Sequence, residues 1–129
     1  MKAKELFVKA QTAASSAKIL LDSKDLDGAC NRAYYAMFDA ARAALIATGH
    51  EQEIIFTKTH SGLISNFSLK LVKTGQVSVS LGKSLNKVED LRLMADYKGD
   101  TVEYEDAAWA VEQANIFVIE LINSFGLKA

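Results

Sequence analysis

Asn31-Arg32-Ala33-Tyr34-Tyr35-Ala36-Met37-Phe38-Asp39-Ala40-Ala41-Arg42-Ala43-Ala44-Leu45 decides how the chain folds. Wound as a helix, it has two unlike faces. Cys30, Ala33, Tyr34, Met37, Phe38, Ala41, Ala44 and Leu45 share one broad apolar side and are expected to bury. Arg32, Tyr35, Asp39 and Arg42 share a second strip, spanning roughly 80° of arc at 3.6 residues per turn. Asp39 stands one turn from both Tyr35 and Arg42, so these polar groups lie within reach of each other. The stretch therefore reads as a packing element and a candidate site at once.

Outward from this helix, glycines punctuate the chain. Gly49, Gly75, Gly99 and Gly126 follow the ends of periodic segments, where left-handed C-terminal caps are expected. A first helix is expected over about Ala3 to Leu21, with Leu6, Ala10, Ala13, Ala17, Leu20 and Leu21 inward. Asp25 or Asp27 can cap the central helix, which runs to about Thr48. His50 to Lys58 reads as a loop, with one buried turn at Ile54, Ile55 and Phe56. Thr57 or Thr59 can cap a third helix to about Lys73, with Leu63, Ile64, Phe67 and Leu71 inward and His60 on the same stripe. Ser78 or Ser80 can cap a fourth, carrying Leu81, Leu85, Val88, Leu91 and Ala95. Arg92 interrupts that apolar stripe; a buried cation requires a partner, and Asp96 stands one turn later. A last helix is expected from about Glu103 to Phe125, with Ala107, Val111, Ala114, Val118, Leu121, Ile122 and Phe125 inward. The expected fold is all-α, a single domain over residues 1–129 built as an up-and-down bundle of four to five helices.

Composition agrees with this. The chain of 129 residues is half hydrophobic and contains no proline to break a helix. Fifteen basic residues balance sixteen acidic ones, so no overall basic field advertises nucleic acid and any such binding needs a local patch. The single cysteine, Cys30, falls on an apolar face and reads as a buried small hydrophobe. Two histidines and one cysteine offer no metal-ligand spacing, no glycine-rich phosphate loop is present, and no cofactor is expected. Without a signal-type segment or an apolar run approaching the ~18 residues of a membrane span, a soluble cytoplasmic protein is expected.

Arg32-Ala33-Tyr34-Tyr35-Ala36-Met37-Phe38-Asp39-Ala40-Ala41-Arg42 resembles the signature helix of the HEPN superfamily, and in particular its small stand-alone branch. Lys58-Thr59-His60-Ser61-Gly62, Lys73-Thr74-Gly75, Arg92-Leu93-Met94-Ala95-Asp96-Tyr97 and a closing helix from Glu105 with Ala107, Ala114 and Phe117 extend the resemblance over about Asp25 to Phe125. It implies an all-helical domain tied to nucleotides or RNA, commonly a homodimer. Many such domains are metal-independent ribonucleases, with an arginine followed after four to six residues by a histidine. No arginine here has a histidine in that window: Arg32 meets Met37 to Asp39, Arg42 meets Ala47 to Gly49, and Arg92 meets Tyr97 to Gly99. Arg92 stands where the motif's arginine would, and Tyr97 where its histidine could. Other members of the superfamily pair with a minimal nucleotidyltransferase in toxin–antitoxin or defence-type operons, a role that does not demand the histidine.

Arg32, Tyr35, Asp39, His60, Arg92, Asp96 and Tyr97 are the candidate ligand-binding residues. Arg32, Tyr35, Asp39 and His60 are expected to converge with Arg92 and Asp96 between the central helix and the third and fourth. Two arginines can grip a phosphate and Tyr35 can stack on a base. Three functions remain open: a nucleotide- or RNA-binding subunit beside a nucleotidyltransferase partner, a non-catalytic dimeric interaction module whose polar groups are structural, and a ribonuclease with an atypical site.

Overall fold

The computed structural model describes residues 2–56, 59–97 and 101–128. Its helices are α1 (Ala3–Asp22), α2 (Leu26–Ala47), α3 (Glu51–Phe56), α4 (His60–Phe67), α5 (Val79–Tyr97) and α6 (Tyr104–Phe125). A π-helical turn, Ser68–Val72, prolongs α4, and a 3-10 turn, Gly126–Lys128, prolongs α6. No strand occurs among the described residues, and the chain is all-α, as the periodicity requires.

α2 is the axis of the bundle. It packs most extensively on α1, next on α6, and then on α5. Small residues make this possible: Ala10, Ala13 and Ala17 of α1 and Ala29, Ala33, Ala36, Ala40 and Ala43 of α2 are buried. Ala36, Ala40 and Ala43 lie outside the single broad face read from sequence, so α2 is covered nearly all round, as a central helix must be. Around it Tyr34, Met37, Leu45, Phe67, Leu71, Leu85, Phe117 and Leu121 close the core. Each of the larger apolar side chains contributes about 1.5–3 kcal/mol by leaving water.

Local chemistry sets the boundaries. The Gly28 N–H donates to Asp25 Oδ1 at 2.9 Å, which makes Asp25 the cap of α2. Asp27 serves elsewhere, accepting the Val102 N–H at 3.2 Å and tying the start of α2 to the segment before α6. The Gly62 N–H donates to Thr59 Oγ1 at 3.0 Å and the Leu81 N–H to Ser78 Oγ at 3.2 Å, so Thr59 and Ser78 cap α4 and α5. Gly49 and Gly75 take positive φ, 88° and 84°, as left-handed caps. Gly126 does not: its φ is −59° and the chain winds on into the 3-10 turn. Thr57 and Gly99 lie outside the described residues. The α1–α2 turn instead places Lys24 at φ 69°.

Two expectations need correcting. The loop expected over His50 to Lys58 contains the six-residue helix α3, whose first turn carries Glu51 and Glu53 where a helix dipole favours carboxylates. The third helix does not stay α-helical to Lys73, because it widens into the π turn from Ser68.

Candidate functional site

The polar strip of α2 opens toward α1. Arg32, Tyr35, Phe38, Asp39 and Arg42 line a groove of about 520 Å³ whose far wall is α1, through Glu5, Lys9 and Thr12 among others. Asp39 is only 8% exposed, because the alanine-lined contact brings α1 close over it. Burial raises its carboxyl pKa above the usual value, against the pull of Lys9, Arg42 and Arg32, which favour the charged form. Its nearest cation is Arg42, with Nη1 3.6 Å from Oδ1.

The other side of Tyr35 belongs to α4 and α5. Rings from two elements meet there: His60 lies 4.5 Å from Phe38, 5.6 Å from Tyr34 in a stacked arrangement, and 5.7 Å edge-on from Tyr35, centroid to centroid. Onto these rings α5 delivers Arg92, its guanidinium carbon 4.5 Å from the Tyr34 centroid and 5.8 Å from that of Tyr35. Arg32 approaches Tyr35 to 5.3 Å. Two guanidiniums thus approach one tyrosine ring within cation–π range.

Arg92 is 6% exposed. Its Nη1 donates to Asp96 Oδ2 at 3.2 Å, but its Nε is buried without a partner, as is the Nε of Arg32. The Tyr34 hydroxyl and Glu89 Oε2 are also buried, and Glu89 acts on that hydroxyl through its charge and a side-chain hydrogen bond. Burial and the Glu89 charge push the Tyr34 hydroxyl pKa well up, so it stays protonated as a potential donor. Burial first, then Arg92, lowers the His60 pKa below its ordinary 6.5, although Glu89 opposes this. His60 is therefore neutral at pH 7, with one ring nitrogen able to accept a proton. The site presents unused donors on Arg32 and Arg92, a pair suited to a phosphate-bearing ligand.

Arg32, Tyr35, His60 and Arg92 come together around one ring, with Asp96 joined through Arg92. Asp39 shares the Tyr35 wall but faces α1 rather than α4 and α5, so the polar strip serves two lobes instead of one pocket. Tyr97 is 75% exposed and makes no ring contact with the cluster. Phe38, expected in the core, is half-buried against His60. Sequence reasoning missed Tyr34, assigned only to packing, and Glu89, which stands one turn before Arg92. The α1 cation Lys9 carries no local signal. Cys30 takes no part: burial first, with Asp27 next, pushes its thiol pKa up to about 11, leaving an unreactive core residue. No group of three metal-ligating side chains occurs among the described residues, nor is any described helix long and apolar enough to cross a membrane.

Comparison with known proteins finds a family and several relatives. The model of the HEPN domain matches residues 3–123. A UPF0332 protein of Thermotoga maritima is 40% identical over 98 residues, which cover 76% of this chain and 70% of that one. Two proteins of Methanocaldococcus jannaschii carry toxin names. "Putative toxin MJ0605" is 36% identical over 104 residues, 81% of this chain and 74% of its own. "Putative toxin MJ0142" is 29% identical over 115 residues, 88% and 75%.

Proposed function

We propose that this chain, which belongs to the HEPN family, is the toxin-like subunit of a two-component module, binds a nucleotide or RNA phosphate between Arg32 and Arg92, and works beside a nucleotidyltransferase partner. The observation that carries the binding role is the pair of guanidiniums that approach the Tyr35 ring, each with a buried Nε lacking a protein partner. A buried donor left unpaired costs about 1–3 kcal/mol, so a ligand oxygen at this place recovers what folding leaves unsatisfied. Tyr35 offers the base a stacking face. Names of the two archaeal relatives support the toxin-like role.

Calorimetric titration with adenosine diphosphate tests the site. Binding in the millimolar to micromolar range is expected for the native chain, and both Arg32→Ala and Arg92→Met should abolish it. Undiminished binding by either variant refutes the two-arginine phosphate site. Because His60 is neutral and lies against the same rings as Arg92, the titration is paired with a metal-free RNA-cleavage assay. Cleavage that His60→Ala stops would replace the binding role with that of a ribonuclease whose histidine comes from a different helix than its arginine.

We also infer a homodimer. α1 and α6 leave a groove of about 800 Å³ whose walls include Ile19, Ile119, Ala108 and Tyr104, and Ile19 and Ile119 are exposed. Exposed apolar patches of this kind mark association surfaces. Light scattering should give twice the 14.1 kDa chain mass. Ile19→Lys with Ile119→Lys should return a monomer, and a native chain that is monomeric at tens of micromolar removes the inference.

A further inference from the structure

Between α5 and α6, away from the Tyr35 cluster, lies a groove of about 510 Å³ lined by Ser80, Lys83, Ser84, Lys87, Trp109 and Gln113, with Val79 at its end. Among the described residues none of its walls is a carboxylate, although the chain as a whole carries net charge −1. Lys83 and Lys87 stand one turn apart on α5, an arrangement in which like charges repel. Neither is in an ion pair among the described residues. Lys87 Nζ instead lies 4.6 Å from the centroid of Trp109, the one tryptophan of the chain.

The floor is rigid. Ser84 is buried, and its hydroxyl donates to Gln113 Oε1 at 2.8 Å, locking α5 to α6 directly beneath the lysines. A half-buried indole over a fixed floor, with one ammonium against its ring and a second a turn away, neither in an ion pair among the described residues, has the chemistry that tracks a single-stranded nucleic acid: an aromatic platform for one base and cations for neighbouring phosphates. Lys83 and Arg92 are nine residues apart, about half a turn out of phase on α5, so the groove opens on a different face of that helix from the Tyr35 cluster.

We propose that the Trp109 groove is a second, separate site, which holds a single-stranded oligonucleotide by stacking one base on the indole and neutralising adjacent phosphates with Lys83 and Lys87. An acidic peptide is the competing occupant. It matches the lysines but leaves the indole without a flat partner, and for that reason the oligonucleotide is favoured.

The sole tryptophan makes the test site-specific. Titration with a ten-residue oligouridine should quench Trp109 fluorescence. With about 0.7 counterion released per phosphate on a single strand, two lysines give a slope of about −1.4 for log affinity against log salt. The double variant Lys83→Glu/Lys87→Glu, checked for native circular dichroism, should lose the quenching. By anisotropy of the labelled oligomer, Trp109→Ala should bind about 5- to 150-fold more weakly, the range reported by base–aromatic stacking. The Arg92→Met variant separates the two sites: it should keep the quenching while losing adenosine diphosphate binding. Absence of quenching, quenching that survives the double charge reversal, or equal quenching by a polyglutamate peptide overturns the proposal.

Discussion

Replacing Arg92 by methionine should leave the fold as stable as before, or more so, while removing ligand binding. Arg92 is 6% exposed, and its ion pair with Asp96 spans 3.2 Å. At an effective dielectric of about 20, that separation corresponds to roughly 5 kcal/mol of gross attraction. Cation–π contact with Tyr34 at 4.5 Å adds up to about 2 kcal/mol. Against these stand several kcal/mol for dehydrating the guanidinium and about 1–3 kcal/mol for its unpartnered Nε. The two sides nearly cancel. Methionine keeps the length of the side chain, buries an apolar stem worth about 1.5–3 kcal/mol, and can lay sulfur against Tyr34 for about 0.3–1.5 kcal/mol more. Asp96, with its side chain 29% exposed, can be hydrated once alone. The expected change is from about zero to 3 kcal/mol of added stability, or roughly 0–10 °C in Tm for a chain of this size. Arg92→Ala, which leaves a void instead, should be about 2–5 kcal/mol less stable than Arg92→Met. Urea titration at pH 7.5 measures both. A loss above about 2 kcal/mol in Arg92→Met would show that the arginine is there to hold the bundle together, and the ligand role would lose its physical basis.

Three further outcomes follow from groups near that arginine and along α2. His60 has a folded pKa below its ordinary 6.5, so the unfolded chain binds the proton first as pH falls. Stability should therefore decline from about pH 6.5 down to the folded value, and His60→Asn should flatten that part of the urea-midpoint profile; an unchanged slope in the variant contradicts the assignment. Asp39, whose pKa burial raises, contributes most stability in its protonated form and loses it as pH rises through the folded value. Asp39→Asn should thus be neutral or stabilising by about 0–1 kcal/mol at pH 7, and a clear loss there would mean that its cations outweigh burial. Ala40→Leu forces extra carbons into a fully enclosed position of the α2 packing and should cost about 1–3 kcal/mol or more, whereas a variant of native Tm would show that the surrounding helices can part.

Periodicity was enough to place five of the helices, because an apolar stripe at 3.6 residues is a direct imprint of burial. Asp25, Thr59 and Ser78 were among the alternatives legible as caps, since short oxygen-bearing side chains answer a defined need of the first helical turn. What the sequence conceals has physical causes too. Six residues of α3 are too few to show a period, so Glu51–Phe56 looks like a loop. Asp39 looks solvated until small residues on a distant helix are known to close over it. Glu89 carries no local signal, because its effect on Tyr34 and His60 comes from other helices packing against α5. The meeting of Arg32, His60 and Arg92 at Tyr35 required the tertiary arrangement of three helices, although each of those residues stood out locally for a charge or imidazole set among apolar neighbours.

The π turn after α4 bears on how this chain tolerates a change of length. There the Lys73 N–H donates to the Ser68 carbonyl at 2.8 Å, five residues back, so the turn holds one residue more than an α turn. Deleting a residue inside α2 would rotate everything beyond it by about 100° and turn its buried alanines outward. Deleting exposed Leu69 instead would let the turn close to ordinary α pitch and absorb the missing residue where it falls. Ser68–Val72 is thus a slack point in an otherwise register-locked bundle, a place where a codon can be lost while α2 and α5 keep their facing surfaces.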